Sequence, residues 1–261
     1  MLMSMRDLVD EVPLPDPLIQ SAGDCYMHCS YTDVPDKHDI KRVINRKMRE
    51  VVQILRIQEV GREVVRKSQP TILIPLEWFG SYHAMYRCYA PSIRQLRERF
   101  RLVALVRNSP QQPSIDETAK GVFDKVIELD EQTASISAFM DVVAREAPDI
   151  IYYPSIGMAA WYVALSNFRL APIQIMTPGH PATTMSDKID YMLSEGDLFG
   201  NESLYTEKCV HLPLGSVRYI LPKTVYDRPV ERPMHDGRVR IAIASSAMKI
   251  VCHTGHGPTP I

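Results

Sequence analysis

Residues 71–106 read TILIPLEWFGSYHAMYRCYAPSIRQLRERFRLVALV, and the spacing of their apolar positions changes twice. The continuous run TILIPLE has the form of a buried strand, residues from about Tyr82 to Phe100 recur at helical spacing, and RLVALV returns to strand. The cycle continues with a helix near Ile115–Phe123, the run KVIEL, a helix near Ala134–Arg145, the run DIIYYP and a helix near Met158–Asn167. Two further apolar runs, APIQIM and IDYML, precede a short helix around Glu202–Tyr205 and the segment KCVHLP. Strands that alternate with helices predict an α/β domain whose parallel sheet is wrapped on both faces. The expected strands lie near Ile72–Pro75, Leu102–Val106, Lys125–Leu129, Ile150–Tyr153, Ile173–Met176 and Tyr191–Leu193.

Outward from this core the pattern changes. Residues 1–68 form a lead-in that opens with a Pro-rich extended piece and continues as a charged helical run from Asp36 to about Lys67. Ile44, Met48, Val51, Val52, Leu55, Ile57 and Val60 supply its apolar face. On the other side, residues 214–237 are a linker rich in Pro, Arg and Asp, and RVRIAIASSAMK from Arg238 restarts the strand pattern. The tail VCHTGHGPTPI has no periodicity.

A net charge of -1 in 261 residues provides no global field for nucleic acid or an anionic membrane surface. No run approaches the ~20 apolar residues of a membrane span, so none is expected. The five cysteines, Cys25, Cys29, Cys88, Cys209 and Cys252, are scattered and contain no CxxC pair, which points to a reducing cytoplasm rather than a disulfide framework. Cys25, His28 and Cys29, and Cys252, His253 and His256, are incomplete as metal sites, and no metal is expected. Walker A and G-x-G-x-x-G patterns are missing, which weakens the P-loop and dinucleotide classes.

In a parallel α/β sheet ligands sit beyond the carboxyl ends of the strands. That rule selects His83 after the first strand, Ser155 and Gly157 after the fourth, TPGHPATT after the fifth and Lys249 after the restarted strand. In TPGHPATT, Gly179 and Pro181 constrain the backbone around His180, and Thr183 and Thr184 add hydroxyl and N–H groups. Each has a plainer alternative: a turn histidine satisfying carbonyls, a helix-start histidine, a solvated surface lysine.

TPGHPATTMSDKIDYMLSE followed by LYTEKCVHLP resembles the bacterial cytoplasmic protein N-glycosyltransferases that modify adhesins, and more distantly the O-linked N-acetylglucosamine transferases. EWFGSYHAMYRCYAPSIRQLRERF, YYPSIGM and IAIASSAMK are similar to further blocks of that family, in the same order, from roughly Pro70 to Ile250. The resemblance implies a GT-B fold, with residues 69–213 as its Rossmann-like acceptor-side domain and residues 238–261 as the start of the UDP-sugar-binding domain. It also implies an inverting, metal-independent transferase without a cofactor, moving a hexose or N-acetylhexosamine from a UDP-sugar to a protein or peptide side chain, asparagine first. By position it makes Lys249 the contact to the leaving diphosphate and His83 a residue that positions the sugar or handles the acceptor proton. Ser155, Gly157, Gly179, His180, Thr183 and Thr184 then line the same cleft. Ile261 follows Lys249 by only twelve residues, so the expectation is a truncated form with most of the donor site missing, or a non-catalytic acceptor-binding remnant.

Overall fold

A computed structural model describes residues 16–32, 34–55, 59–61, 63, 67–108, 115–130 and 136–221. Seven strands form one sheet: β1 Thr71–Pro75, β2 Arg101–Asn108, β3 Lys125–Asp130, β4 Ile150–Tyr153, β5 Ile173–Met176, β6 Tyr191–Glu195 and β7 Lys208–Leu212. Their spatial order is β3-β2-β1-β4-β5-β6-β7, and every pairing is parallel. The six expected strands are present, and KCVHL adds the seventh at the edge.

The helices are α1 Asp16–His28, α2 Asp39–Leu55, α3 Ala84–Leu96, α4 Glu117–Lys120, α5 Ile136–Glu146 and α6 Ala160–Leu165. Alternate residues of β1 and β2 divide between two cores, as a side-chain period of two demands. Ile72, Ile74, Leu102 and Ala104 pack under Met85, Tyr86, Ala90 and Ile93 of α3. On the other face Leu73, Val103 and Leu105 share a core with Phe139 of α5 and Tyr162, Val163 and Leu165 of α6. A cavity of about 880 Å³ lies on the α3 side, floored by Ile150, Tyr152, Ile175 and Leu193. Helices therefore lie on both faces, as expected, with this cavity over β4, β5 and β6 on the α3 side.

The lead-in departs from its expected form. From Asp16 onward it is helical, not extended, because Pro17 falls in the first turn, where no N–H is needed. Ala22, Cys25, Tyr26 and Cys29 follow the i, i+3, i+4, i+7 spacing and are buried, as are Ile40, Val43, Ile44 and Met48 of α2. Most of these side chains enter the core of the sheet face that carries α5 and α6.

α3 contains Pro91, whose ring removes the hydrogen bond that would reach the carbonyl of Arg87. That carbonyl accepts from the Ile220 N–H at 2.9 Å instead, and Ser92 Oγ donates to the Ser216 carbonyl at 3.2 Å. Residues 214–221, at the start of the expected linker, thus lie against the sheet domain. The remainder of that linker and all of residues 238–261 fall outside the described residues. Among the described residues no helix is long and apolar enough to cross a membrane, and Cys25, Cys29, Cys88 and Cys209 are not joined in disulfides.

Arg169, 4% exposed, joins the sheet to the loop before β6 through two bonds to Asp190, at 2.6 and 3.1 Å. Asp190→Ala leaves that guanidinium buried without this partner and is expected to cost about 3–5 kcal/mol in urea unfolding. A loss below about 1 kcal/mol would contradict it. Burial, aided by Lys41 and Lys37, pulls the His38 imidazole down to about 4 from 6.5. The unfolded chain then binds the extra proton below pH 6.5, so stability is complete above that value and is lost as pH falls toward 4. Melting temperature followed from pH 7 to 4, with His38→Gln showing the shallower fall, checks this.

Candidate functional site

The strand order reverses between β1 and β4, since the chain runs outward from β1 through β2 to β3 and returns to pair β4 on the other side. The crevice at the carboxyl ends of such a pair is where open α/β sheets hold ligands. Here it is filled by the chain itself. Glu77, 2% exposed, accepts from the backbone N–H groups of Gly157, Met158 and Ala159 at 2.8, 2.9 and 3.1 Å through Oε1, and from Ser155 Oγ at 2.6 Å through Oε2. Burial pushes its carboxyl above the ordinary range, against the pull of these four donors. Three successive N–H groups form an anion-binding nest, and its anion is a side chain.

Two glycines set the approach of the neighbouring loops. Gly157 has φ +130°, and a Cβ there would stand 3.1 Å from His180 Cδ2. At Gly179 a Cβ would meet the Pro154 carbonyl at 2.5 Å and also collide with Met85 of α3. The loops after β4 and β5 and the start of α3 are therefore in direct contact. His83 caps α3, its Nδ1 accepting from the Met85 N–H at 3.3 Å, and its ring stacks on Trp78 with centroids 5.9 Å apart. Burial first, and Arg87 second, lower its pKa, so it is neutral at physiological pH. Trp78 and His83 are half-buried, and Tyr82 is exposed.

His180, 3% exposed, meets Ser30 Oγ through Nε2 at 3.0 Å and Tyr31 edge-on at 6.4 Å between centroids. The lead-in thus reaches the β5 loop. Thr183 and Thr184 turn the other way: Thr183 Oγ1 and the Thr184 N–H each donate to the buried Glu207 carboxylate at 2.8 Å, and the Thr184 hydroxyl also donates to it.

The structure therefore gathers Ser155, Gly157, Gly179 and His180 at one mouth, beside the helix that His83 caps. Thr183 and Thr184 stand further along, on the β7 side. The polar groups of Ser155, Thr183 and Thr184 are engaged by internal carboxylates, so these residues build the loops rather than project from them. Lys249 lies outside the described residues. Glu77, Glu207, Ser30 and Tyr31 were not among the sequence candidates. Position alone could have marked Glu77, an acidic residue two places beyond an entirely buried strand. Among the described residues no three His, Cys, Asp or Glu side chains are grouped to hold a metal ion.

Sheet order and switch point define the class of the fold: a doubly wound, Rossmann-like parallel sheet domain. An O-GlcNAc transferase mutant of Thermobaculum terrenum shares the fold with a TM-score of 0.53 at 17% identity, over 74% of this chain and 37% of that one. The sequence is 34% identical over 234 residues, 87% of this chain, to the UDP-glucose:protein N-beta-glucosyltransferases of Actinobacillus pleuropneumoniae serotype 5b (strain L20) and serotype 7 (strain AP76). Residues 6–52 match the family model described as HMW1 domain 2. The chain is thus similar to these protein N-glucosyltransferases, and it spans about 37% of the length of these curated relatives.

Glu77→Ala removes the acceptor from four donors at once and is expected to destabilise the domain by about 3–5 kcal/mol. Glu77→Gln keeps an oxygen for the three N–H groups and turns its amide toward Ser155 Oγ, which can accept, so its cost should be about 1 kcal/mol. Urea unfolding of both variants checks the order, and equal losses would show that the nest is not what Glu77 satisfies.

Proposed function

We propose that this chain supplies the acceptor-side half of an inverting, metal-independent transferase that moves a hexose from a UDP-sugar, UDP-glucose first, to an asparagine side chain of a protein. The observation that carries the proposal is the 34% identity to proteins named UDP-glucose:protein N-beta-glucosyltransferase across 87% of this chain. In this reaction the side-chain amide nitrogen attacks the anomeric carbon. The bond from that carbon to the diphosphate oxygen breaks, UDP leaves with the electron pair, and the amide loses a proton.

His83 is already engaged with the Met85 N–H and the Trp78 backbone, which favours a role in positioning the sugar over one in taking the acceptor's proton. Lys249 is assigned to the growing charge on the leaving diphosphate, where an ammonium can stand in for a divalent cation. His180 and the loop around it line the acceptor side of the cleft. Reduced cysteines agree with a cytoplasmic setting, where UDP-sugar would be the donor.

A second reading is favoured by Glu77: with the switch-point nest filled, this half could act as an acceptor-binding module that does no chemistry alone. The two are separated by assaying the chain with UDP-glucose, other UDP-sugars and an asparagine-containing peptide. The assay is then repeated with a complete second domain of a relative joined after Lys249. Little transfer is expected from the chain and robust transfer from the fusion, because holding both reactants in line is worth up to roughly 7–11 kcal/mol. Lys249→Ala should lower kcat of the fusion by about 100-fold or more. A fusion that binds peptide but never transfers would establish the binding module instead.

A further inference from the structure

α2 carries a cation where a parallel stripe of Ile40, Ile44 and Met48 would call for an apolar residue. Lys41 is 0% exposed, its Nζ donates to the Thr183 carbonyl at 2.8 Å, and it stands 4.6 Å over the Tyr26 ring. One turn later Asn45, also 0% exposed, donates through Nδ2 to the Thr184 carbonyl at 2.9 Å, and Tyr26 OH of α1 donates to the same oxygen at 2.8 Å. Asn45 is itself oriented by Asn167, whose Nδ2 donates to Asn45 Oδ1 at 2.9 Å and to the Val163 carbonyl at 2.9 Å. Three buried donors from the lead-in thus converge on two consecutive carbonyls of the TPGHPATT loop. The next residue, Met185, has φ +55°, a conformation that a side chain disfavours and that only its surroundings can hold.

From this convergence we propose that Lys41, with Tyr26 and Asn45, is a positioning residue for His180: the lead-in helices hold the backbone of residues 183–184, and through it set where the imidazole stands between Gly157 and Ser30. The functional side of this inference rests on the proposed reading that His180 lines the acceptor cleft; the structural side does not. Lys41 is ill-suited to a purely stabilising part. Burial is the first cause pulling its pKa down to about 8, with Lys37 adding to it and Cys29 and Glu207 opposing. A buried ammonium that disfavours its own charge is poor glue for a core, and an apolar side chain of the same length would fill the space with less desolvation. What the apolar side chain lacks is a donor for Thr183.

The test uses the full 261-residue chain with Lys41→Met and Tyr26→Phe, the second removing one hydroxyl and leaving the ring packing intact. Arg49→Ala, which breaks only the exposed contact to Asp187, is the control. Amide hydrogen exchange is followed over residues 180–186 and over β4, and the His180 imidazole signals are followed by NMR, assigned with His180→Gln. Both substitutions should speed exchange in the loop by about tenfold or more and displace the His180 signals, while β4 keeps its protection. The control should move neither. Unchanged His180 signals in both variants, or β4 exchange rising in step with the loop, would overturn the inference, the latter because it marks global loosening. In the fused enzyme the same substitutions should raise KM for the acceptor peptide. If the loop responds as expected and kinetics do not, the positioning stands and the place of His180 in the acceptor cleft falls.

Discussion

Removing a carboxylate from water costs several kcal/mol unless donors replace its hydration shell, and the arrangement of the mouth follows from meeting that demand at Glu77. Four donors from one short loop converge on it. Three are successive N–H groups, so the backbone after β4 must curl around the carboxylate, and Gly157 takes the positive φ that the curl needs. The curl brings Gly157 against His180 and the Pro154 carbonyl against Gly179. The conformation of three loops is therefore tied to one side chain two residues beyond the first strand.

Glu207 repeats the device at the far end of the same loop system, and the donors of α1 and α2 complete it from above. The partners are distant in sequence: Glu77 with residues 155–159, Lys41 with Thr183, Tyr26 with Thr184. None of these contacts is rewarded until the strands have paired, because loop-closure entropy must first be overcome. The lead-in is accordingly part of the domain's energetics. Its apolar face enters the sheet's core, and its polar atoms satisfy the loop that the sheet alone would leave with buried, unpaired carbonyls.

The sheet was legible in the sequence because each of its first six strands is an apolar run set between segments of different period. KCVHL was recognised as a segment without being predicted as a strand, since its alternation is short and its outer face half-exposed. α1 was missed because Pro17 and its neighbours signal extended chain unless the proline's place in a first turn is considered. The loops at the mouth were found by the rule of strand carboxyl ends, but the rule is blind to what their polar groups bond. Ser155, Thr183 and Thr184 carry the hydroxyls expected of ligand contacts, and each is engaged with a glutamate that looked, in the string, like any solvated charge. Lys41 and Asn45 were hidden in the charged run DIKRVINRKMRE. Their i, i+4 spacing beside the buried stripe of Ile40, Ile44 and Met48 is the one trace they leave there.

The filled nest also bears on what the mouth of the sheet can bind. An unoccupied crevice at the switch point offers backbone N–H groups to a phosphate. With Glu77 in place those N–H groups are engaged and a carboxyl stands where a diphosphate would otherwise approach. Any charge it carries repels a second anion, and if it is protonated the nest still has no donor to spare. What this half presents outward is of another kind: the stacked Trp78 and neutral His83, with Tyr82 exposed beside them. Aromatic and imidazole surfaces suit the apolar faces and hydroxyls of a sugar or a peptide better than they suit a phosphate. The electrostatics of the mouth thus disfavour an anion in the nest and leave the aromatic and imidazole surface as what this domain offers a ligand.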